Sequence, residues 1–161
     1  MENANYEKSP KDYMGEQSAE DDLAAVTART LNDILMEDPL MCDLPKNVTL
    51  EEVNSQIALQ QGQSITVFID RHNETTVPVV VPQRGSTVLD LKRAFRRNMS
   101  LKLAREKIYT KISWRYVWKN NWLYFEGQKL KSDSDLLEDL GIWNKCHVSF
   151  IKRLREKGIK N

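Results

Sequence analysis

The densest chemistry in this chain lies in residues 92–119, where ten Lys/Arg stand against a single acid, Glu106. Aromatic side chains run through the same stretch and just beyond it: Tyr109, Trp114, Tyr116, Trp118, Trp122 and Tyr124. Cations neutralise phosphates while flat rings stack on unpaired bases, a combination that holds single-stranded RNA. A second reading stands beside it. In ISWRYVWKNNWLYF, Trp114, Tyr116 and Trp118 alternate as side chains on one face of a strand do, which would present them to a core or to a partner protein. The candidate partner-binding residues, for protein or RNA, are therefore Arg96, Arg97, Lys102, Arg105, Trp114, Arg115, Tyr116, Trp118, Lys119, Trp122 and Tyr124.

Catalytic chemistry has no comparable cluster. Asp133, Asp135, Glu138 and Asp139 are close in sequence but fall in a short-helix pattern where surface acids are common. Cys146 and His147 are adjacent in a strand pattern, so their side chains point to opposite faces. No glycine-rich phosphate loop occurs, and His72 and His147 have no partners at metal-ligand spacing. The expectation is a protein that is not an enzyme and takes no cofactor, metal or small-molecule substrate. The two cysteines, Cys42 and Cys146, are expected as free thiols acting as small buried or half-buried hydrophobes.

Charge separates the chain into unlike parts. Residues 1–63 hold four Lys/Arg and thirteen Asp/Glu, net −9, whereas residues 64–161 hold twenty and ten, net +10. Such polarity fits halves that attract each other or face different partners. No apolar run is long enough to span a membrane, and the polar, acidic start has no signal-peptide core.

The elements that must position these residues follow from periodicity. Residues 1–19 lack spaced apolar positions and are expected as a disordered acidic tail. Leu23, Val26, Leu31, Ile34 and Leu35 form a helical stripe that stops at Asp38-Pro39. That stripe could lie in a partner's groove or cover the chain's own sheet. Thr49 and Glu52 make the T-x-x-E capping box of a second helix with Leu50, Val53 and Ile57 on its apolar face, closed at Gly62. SITVFID and VPVVVP, joined by six polar residues, form a hairpin. Ser86 or Thr87 caps a helix whose stripe is Val88, Leu91, Ala94, Phe95 and Met99. After the aromatic segment come the turn EGQKL, a short helical turn SDSDLLEDLGI and a last strand, HVSFIKRL.

In this order the chain resembles ubiquitin. LYFEGQKL (residues 123–130) is similar to its third strand, glycine turn and short fourth strand; DSDLLEDLGI (133–142) to its short helix; VSFIKRL (148–154) to its last strand. The resemblance implies an α+β fold, a β-grasp in which a mixed sheet wraps one main helix, and the periodicity places a helical N-terminal segment before it. Expected boundaries are 20–62 for that segment, 63–155 for the ubiquitin-like domain and 156–161 for a basic tail. Residues 155–161 carry no Gly-Gly, so a conjugated tag is not expected, and residues 100–113 are an insertion relative to ubiquitin. Ile151 keeps the aliphatic character of ubiquitin's interaction face and joins the candidate residues, whereas Tyr124 replaces an aliphatic there.

A narrower resemblance covers more. DPLMCDLPKNVTLEEVNSQIAL, SWRYVW and SFIKRLR resemble the family of 25-kDa proteins of the U11/U12 small nuclear ribonucleoprotein, over about residues 34–155. It implies a nuclear, non-catalytic scaffold of the minor (U12-type) spliceosome, active in pre-mRNA splicing, whose partners are other snRNP proteins. Contact with snRNA through the basic aromatic face remains open beside protein docking. The rival reading is a ubiquitin-like adaptor in protein quality control.

Overall fold

The computed structural model describes residues 10–154 apart from 40, 46 and 73, and side chains from residue 19 onward. The expected basic tail and residues 1–9 of the expected acidic tail lie outside the described residues. The chain divides into two compact units, Met1–Val53 and Asn54–Asn161.

The first unit contains helix α1, Pro10–Glu37. It begins well before the apolar stripe, so residues 10–19 are helical rather than irregular. Lys, Glu, Gln and Ala in this stretch are good helix formers, and proline suits the first helical position. Apolar periodicity alone gave no sign of this. Met41 and Cys42 N–H groups bond back to Asp38, making a turn after the helix. Cys42 is exposed there, contrary to expectation, because the turn buries its neighbour Met41 instead; its thiol bonds Pro39 O at 3.3 Å. Cys146 is half-buried, and both thiols are free.

Helix α2, Leu50–Gln60, starts on the expected capping box: Thr49 N–H donates to Glu52 Oε2 at 2.8 Å, and Glu52 N–H to Thr49 Oγ1 at 3.3 Å. Gly62, at φ +68°, takes the left-handed turn that lets Gln63 N–H reach Ala58 O. No α2 residue is fully buried.

The second unit is a five-stranded mixed sheet over one helix. Strands β1 (Ser64–Asp70), β2 (Val77–Pro82), β3 (Asn121–Phe125), β4 (Gln128–Leu130) and β5 (His147–Lys152) stand in the order β2-β1-β5-β3-β4. Only β1 and β5 run parallel. Alternation drives the layering: Ile65, Val67 and Ile69 of β1 and Val77, Val79 and Val81 of β2 point inward and are buried. Helix α3, Val88–Arg105, presents the expected Val88, Leu91, Ala94, Phe95 and Met99 to the same core. Thr87 is its N-cap, in a capping box with Asp90. The segment expected as a short helical turn, SDSDLLEDLGI, is a run of turns that includes one helical turn, closed by Leu140 N–H on Leu136 O at 3.2 Å. Its carbonyls at Asp133 and Asp135 accept the N–H groups of Leu89 and Val88, satisfying the first turn of α3.

The aromatic segment departs most from expectation. Trp114–Asn120 is a short helix, α4, and not a strand. Residues 114 and 118 are one helical turn apart as well as alternate in sequence, so packing decided between two periodicities that the letters fit equally.

Candidate functional site

Helix α4 turns its two indoles inward. Trp114 meets Phe95 edge-on at 5.7 Å, and Trp118 stacks on Phe150 at 5.6 Å and on Trp114 at 6.1 Å. Both are half-buried and packed against the core, while Tyr116, on the other side of the helix, is 68% exposed. The three rings therefore do not share a face.

Trp114 forms a wall common to two cavities. One, of about 220 Å³, is lined by Phe95, Met99, Ile112, Trp114, Val117 and Phe150, with Arg71, His72 and Asn121 as its polar groups. Arg71 donates to Met99 Sδ at 3.5 Å and pairs with Glu74. Its burial lowers the guanidinium pKa from the ordinary value. The other, of about 300 Å³, is lined by Leu89, Lys92, Arg93, Arg96, Trp114, Arg115, Trp118 and Asp133. Here Lys92 is only 7% exposed, contrary to its place in a stretch read as a cationic surface. Its ammonium bonds Asp133 Oδ1 at 2.5 Å and sits 5.2 Å from the Trp118 ring centroid. The cations open to a ligand in this cleft are arginines.

Arg97 lines a separate cleft of about 410 Å³ between β2 and α3, with Arg84, Arg93 and Asp90. Asp90 is held by Thr87 N–H at 3.0 Å and Thr87 Oγ1 at 2.8 Å. These two bonds lower its pKa against a smaller opposing effect of burial, with the nearby Arg93 and Arg97 charges adding lesser contributions in the same direction as the bonds. Lys102 and Arg105 are in the last turn of α3, and Lys119 is exposed near the end of α4.

The remaining candidates are on the far side of the sheet. Leu123, Phe125, Val148 and Phe150 point to the core, so Trp122, Tyr124 and Ile151 point away from it. Trp122 and Ile151 are cross-strand neighbours, and the Arg153 guanidinium lies 3.3 Å from the Trp122 ring centroid. On the same face Phe68 stacks on His147 at 4.9 Å, with His147 Nδ1 3.0 Å from Asp70 Oδ2.

The candidate residues thus divide into a cationic helix side, around Arg96, Arg97 and Arg115, and an aromatic-aliphatic sheet side, around Trp122, Tyr124 and Ile151. Arg84, Arg153 and Phe68 were not singled out from the sequence. Strand alternation marks Phe68 as outward, but nothing local signals that Arg84 joins the α3 arginines. Among the described residues, no group of His, Cys, Asp and Glu could hold a metal ion, and no helix is long and apolar enough to cross a membrane.

The chain is 29% identical over 124 residues to the U11/U12 small nuclear ribonucleoprotein 25 kDa protein of Arabidopsis thaliana, covering 77% of this chain and 74% of that one. Among solved structures, the ubiquitin-like domain of an Arabidopsis thaliana protein is 19% identical, with 58% of this chain and 86% of that one aligned at a TM-score of 0.38. A de novo protein based on ubiquitin is 14% identical, with 60% and 96% aligned at a TM-score of 0.42. The ubiquitin-like domain profile matches residues 50–157, from the first residue of α2 past the end of β5. With most of its length inside that match and a mixed sheet wrapped around α3, the chain belongs to the ubiquitin-like domain family.

Proposed function

We propose that this protein is a non-catalytic scaffold subunit of the minor (U12-type) spliceosome snRNP, acting in pre-mRNA splicing in the nucleus. The observation that carries the reading is the similarity, over 77% of the chain, to a relative named as a protein of the U11/U12 particle. The geometry supports a bridging role. Arg96, Arg97 and Arg115 on the helix side suit phosphates, since the planar guanidinium can bond two phosphate oxygens at once. Trp122, Tyr124 and Ile151 on the sheet side suit a protein surface, where large rings supply area at low entropic cost. Lys102, Arg105 and Lys119 add to the cationic field that steers a polyanion. On this reading the partners are other snRNP proteins on one side and snRNA on the other.

Affinity purification of the tagged full chain from nuclear extract tests the proposal. Enrichment of U11 and U12 RNAs over the other small nuclear RNAs is the expected result, and recovery without that enrichment rejects it. Arg96→Gln with Arg115→Gln should then reduce RNA crosslinking selectively, and Trp122→Ala should reduce protein crosslinking. Saturable binding of a ubiquitin-binding-motif peptide, with no snRNP enrichment, would favour the quality-control adaptor.

A further inference from the structure

Helix α1 carries an apolar stripe that is largely exposed: Leu23 is 68% accessible, Val26 58%, Leu31 53% and Ile34 59%, with Leu35 half-buried. Two threonines lie within the stripe, yet neither breaks it chemically. Thr27 Oγ1 donates to Leu23 O at 2.8 Å, and Thr30 Oγ1 to Val26 O at 3.0 Å. Each hydroxyl is satisfied by the helix's own backbone, so the face needs no polar partner there.

Charge around the stripe is one-sided. Residues 19–37 contain Glu20, Asp21, Asp22, Asp33 and Glu37 against Arg29 alone. At the helical period, Asp22, Asp33 and Glu37 follow the Val26 edge with Arg29 as the one cation beside them, so that edge stays net acidic, and Glu20 stands at the N-terminal end of the stripe. A second copy laid along this stripe would bring carboxylates against carboxylates, which opposes pairing. From this we infer that α1 is a docking helix for a basic partner helix, one whose apolar stripe is edged by Lys or Arg. The stripe belongs to the first unit, and the inference goes beyond the spliceosomal reading without requiring it.

The probe is a fluorescent synthetic helix with leucine at the core heptad positions and lysine at the flanking ones, titrated with the full chain. Saturable anisotropy is expected, weakened about tenfold or more when the flanking lysines are replaced by glutamate. Leu23→Gln with Ile34→Gln should abolish binding while circular dichroism keeps its helical signal, glutamine being a good helix former. Asp22→Lys with Asp33→Lys leaves the stripe intact and should shift the preference to the glutamate-flanked peptide. Absent binding, or binding indifferent to both pairs of substitutions, overturns the inference. So does sedimentation of the wild type as a dimer that the Leu23/Ile34 pair dissociates, because a second copy would then be the occupant. A fall in unfolding temperature for that pair also overturns it, because the chain itself would then cover the stripe.

Discussion

Lys92 Nζ lies 2.5 Å from Asp133 Oδ1, joining the second turn of α3 to the turn that caps its start. The lysine side chain is 9% exposed and the aspartate 52%, so the charge that cannot find water is the ammonium. Asp133→Asn should therefore cost about 1–2 kcal/mol of stability, less than the ~3–5 kcal/mol of a fully buried pair because one partner is still solvated. Lys92→Met, which removes the buried charge and keeps the stem's packing, should cost less than Asp133→Asn. Urea denaturation of the two variants distinguishes them, and the reverse order would refute the assignment of Lys92 as the desolvated partner.

The inward turn of α4 makes a contrast within one heptad-sized segment. Trp118→Ala removes a ring stacked on Phe150 and should lower stability by about 2–4 kcal/mol. Tyr116→Ala removes an exposed ring and should stay within about 0.5 kcal/mol of wild type. Thermal unfolding of both reads this directly. Equal, small losses would mean that α4 is not part of the folded core.

The Thr87–Asp90 box gives α3 a pH dependence of known sign. Asp90 has a depressed folded pKa, first through the Thr87 N–H and then the Thr87 hydroxyl, so its contribution is present above the unfolded carboxylate pKa of about 3.9. It is lost as pH falls through the lower, folded value. Thr87→Ala should cost about 1 kcal/mol at neutral pH. Asp90→Asn should be less stable than wild type at pH 7, with the difference shrinking below about pH 4. A difference that grows on acidification would contradict the hydrogen-bonding pattern.

How much of this was legible beforehand depends on the distance over which each decision is made. The α3 stripe from Val88 to Met99 and the inward valines of β1 and β2 are local patterns, and the core follows them. The Thr49 capping box acts within one turn and was readable, whereas at α3 the sequence left Ser86 and Thr87 both open and the structure uses Thr87. Lys92 was not, because its burial depends on a partner 41 residues away. Trp114 and Trp118 were readable as apolar but not as helical, since spacings of two and four coincide in W-R-Y-V-W. The candidate site suffered from both effects. A list of basic and aromatic residues close in sequence became two surfaces once α4 turned inward and β3 turned Trp122 outward.

The open edge of β2 is closed by chemistry that a strand pattern alone would not suggest. Gln83 N–H bonds Gln63 O, so in this antiparallel register the even-numbered peptides of β2 face away from β1. Two of those positions are Pro78 and Pro82, which have no N–H to offer. Their carbonyls are also occupied: Asn98 Nδ2 donates to Pro78 O at 2.8 Å, and Ser86 Oγ to Pro82 O at 2.7 Å. Val80 is left as the outward peptide between them. An incoming strand would thus find one outward donor and one outward acceptor, both at Val80, in place of a ladder, which is how natural sheets discourage edge-to-edge pairing. Pro78→Val with Pro82→Val should restore two donors while keeping β propensity, and Asn98→Ala should free one carbonyl. The triple variant is expected to self-associate or bind thioflavin at concentrations where the wild type stays monomeric in sedimentation. A triple variant that stays monomeric while remaining folded would show that something other than these three residues protects the edge.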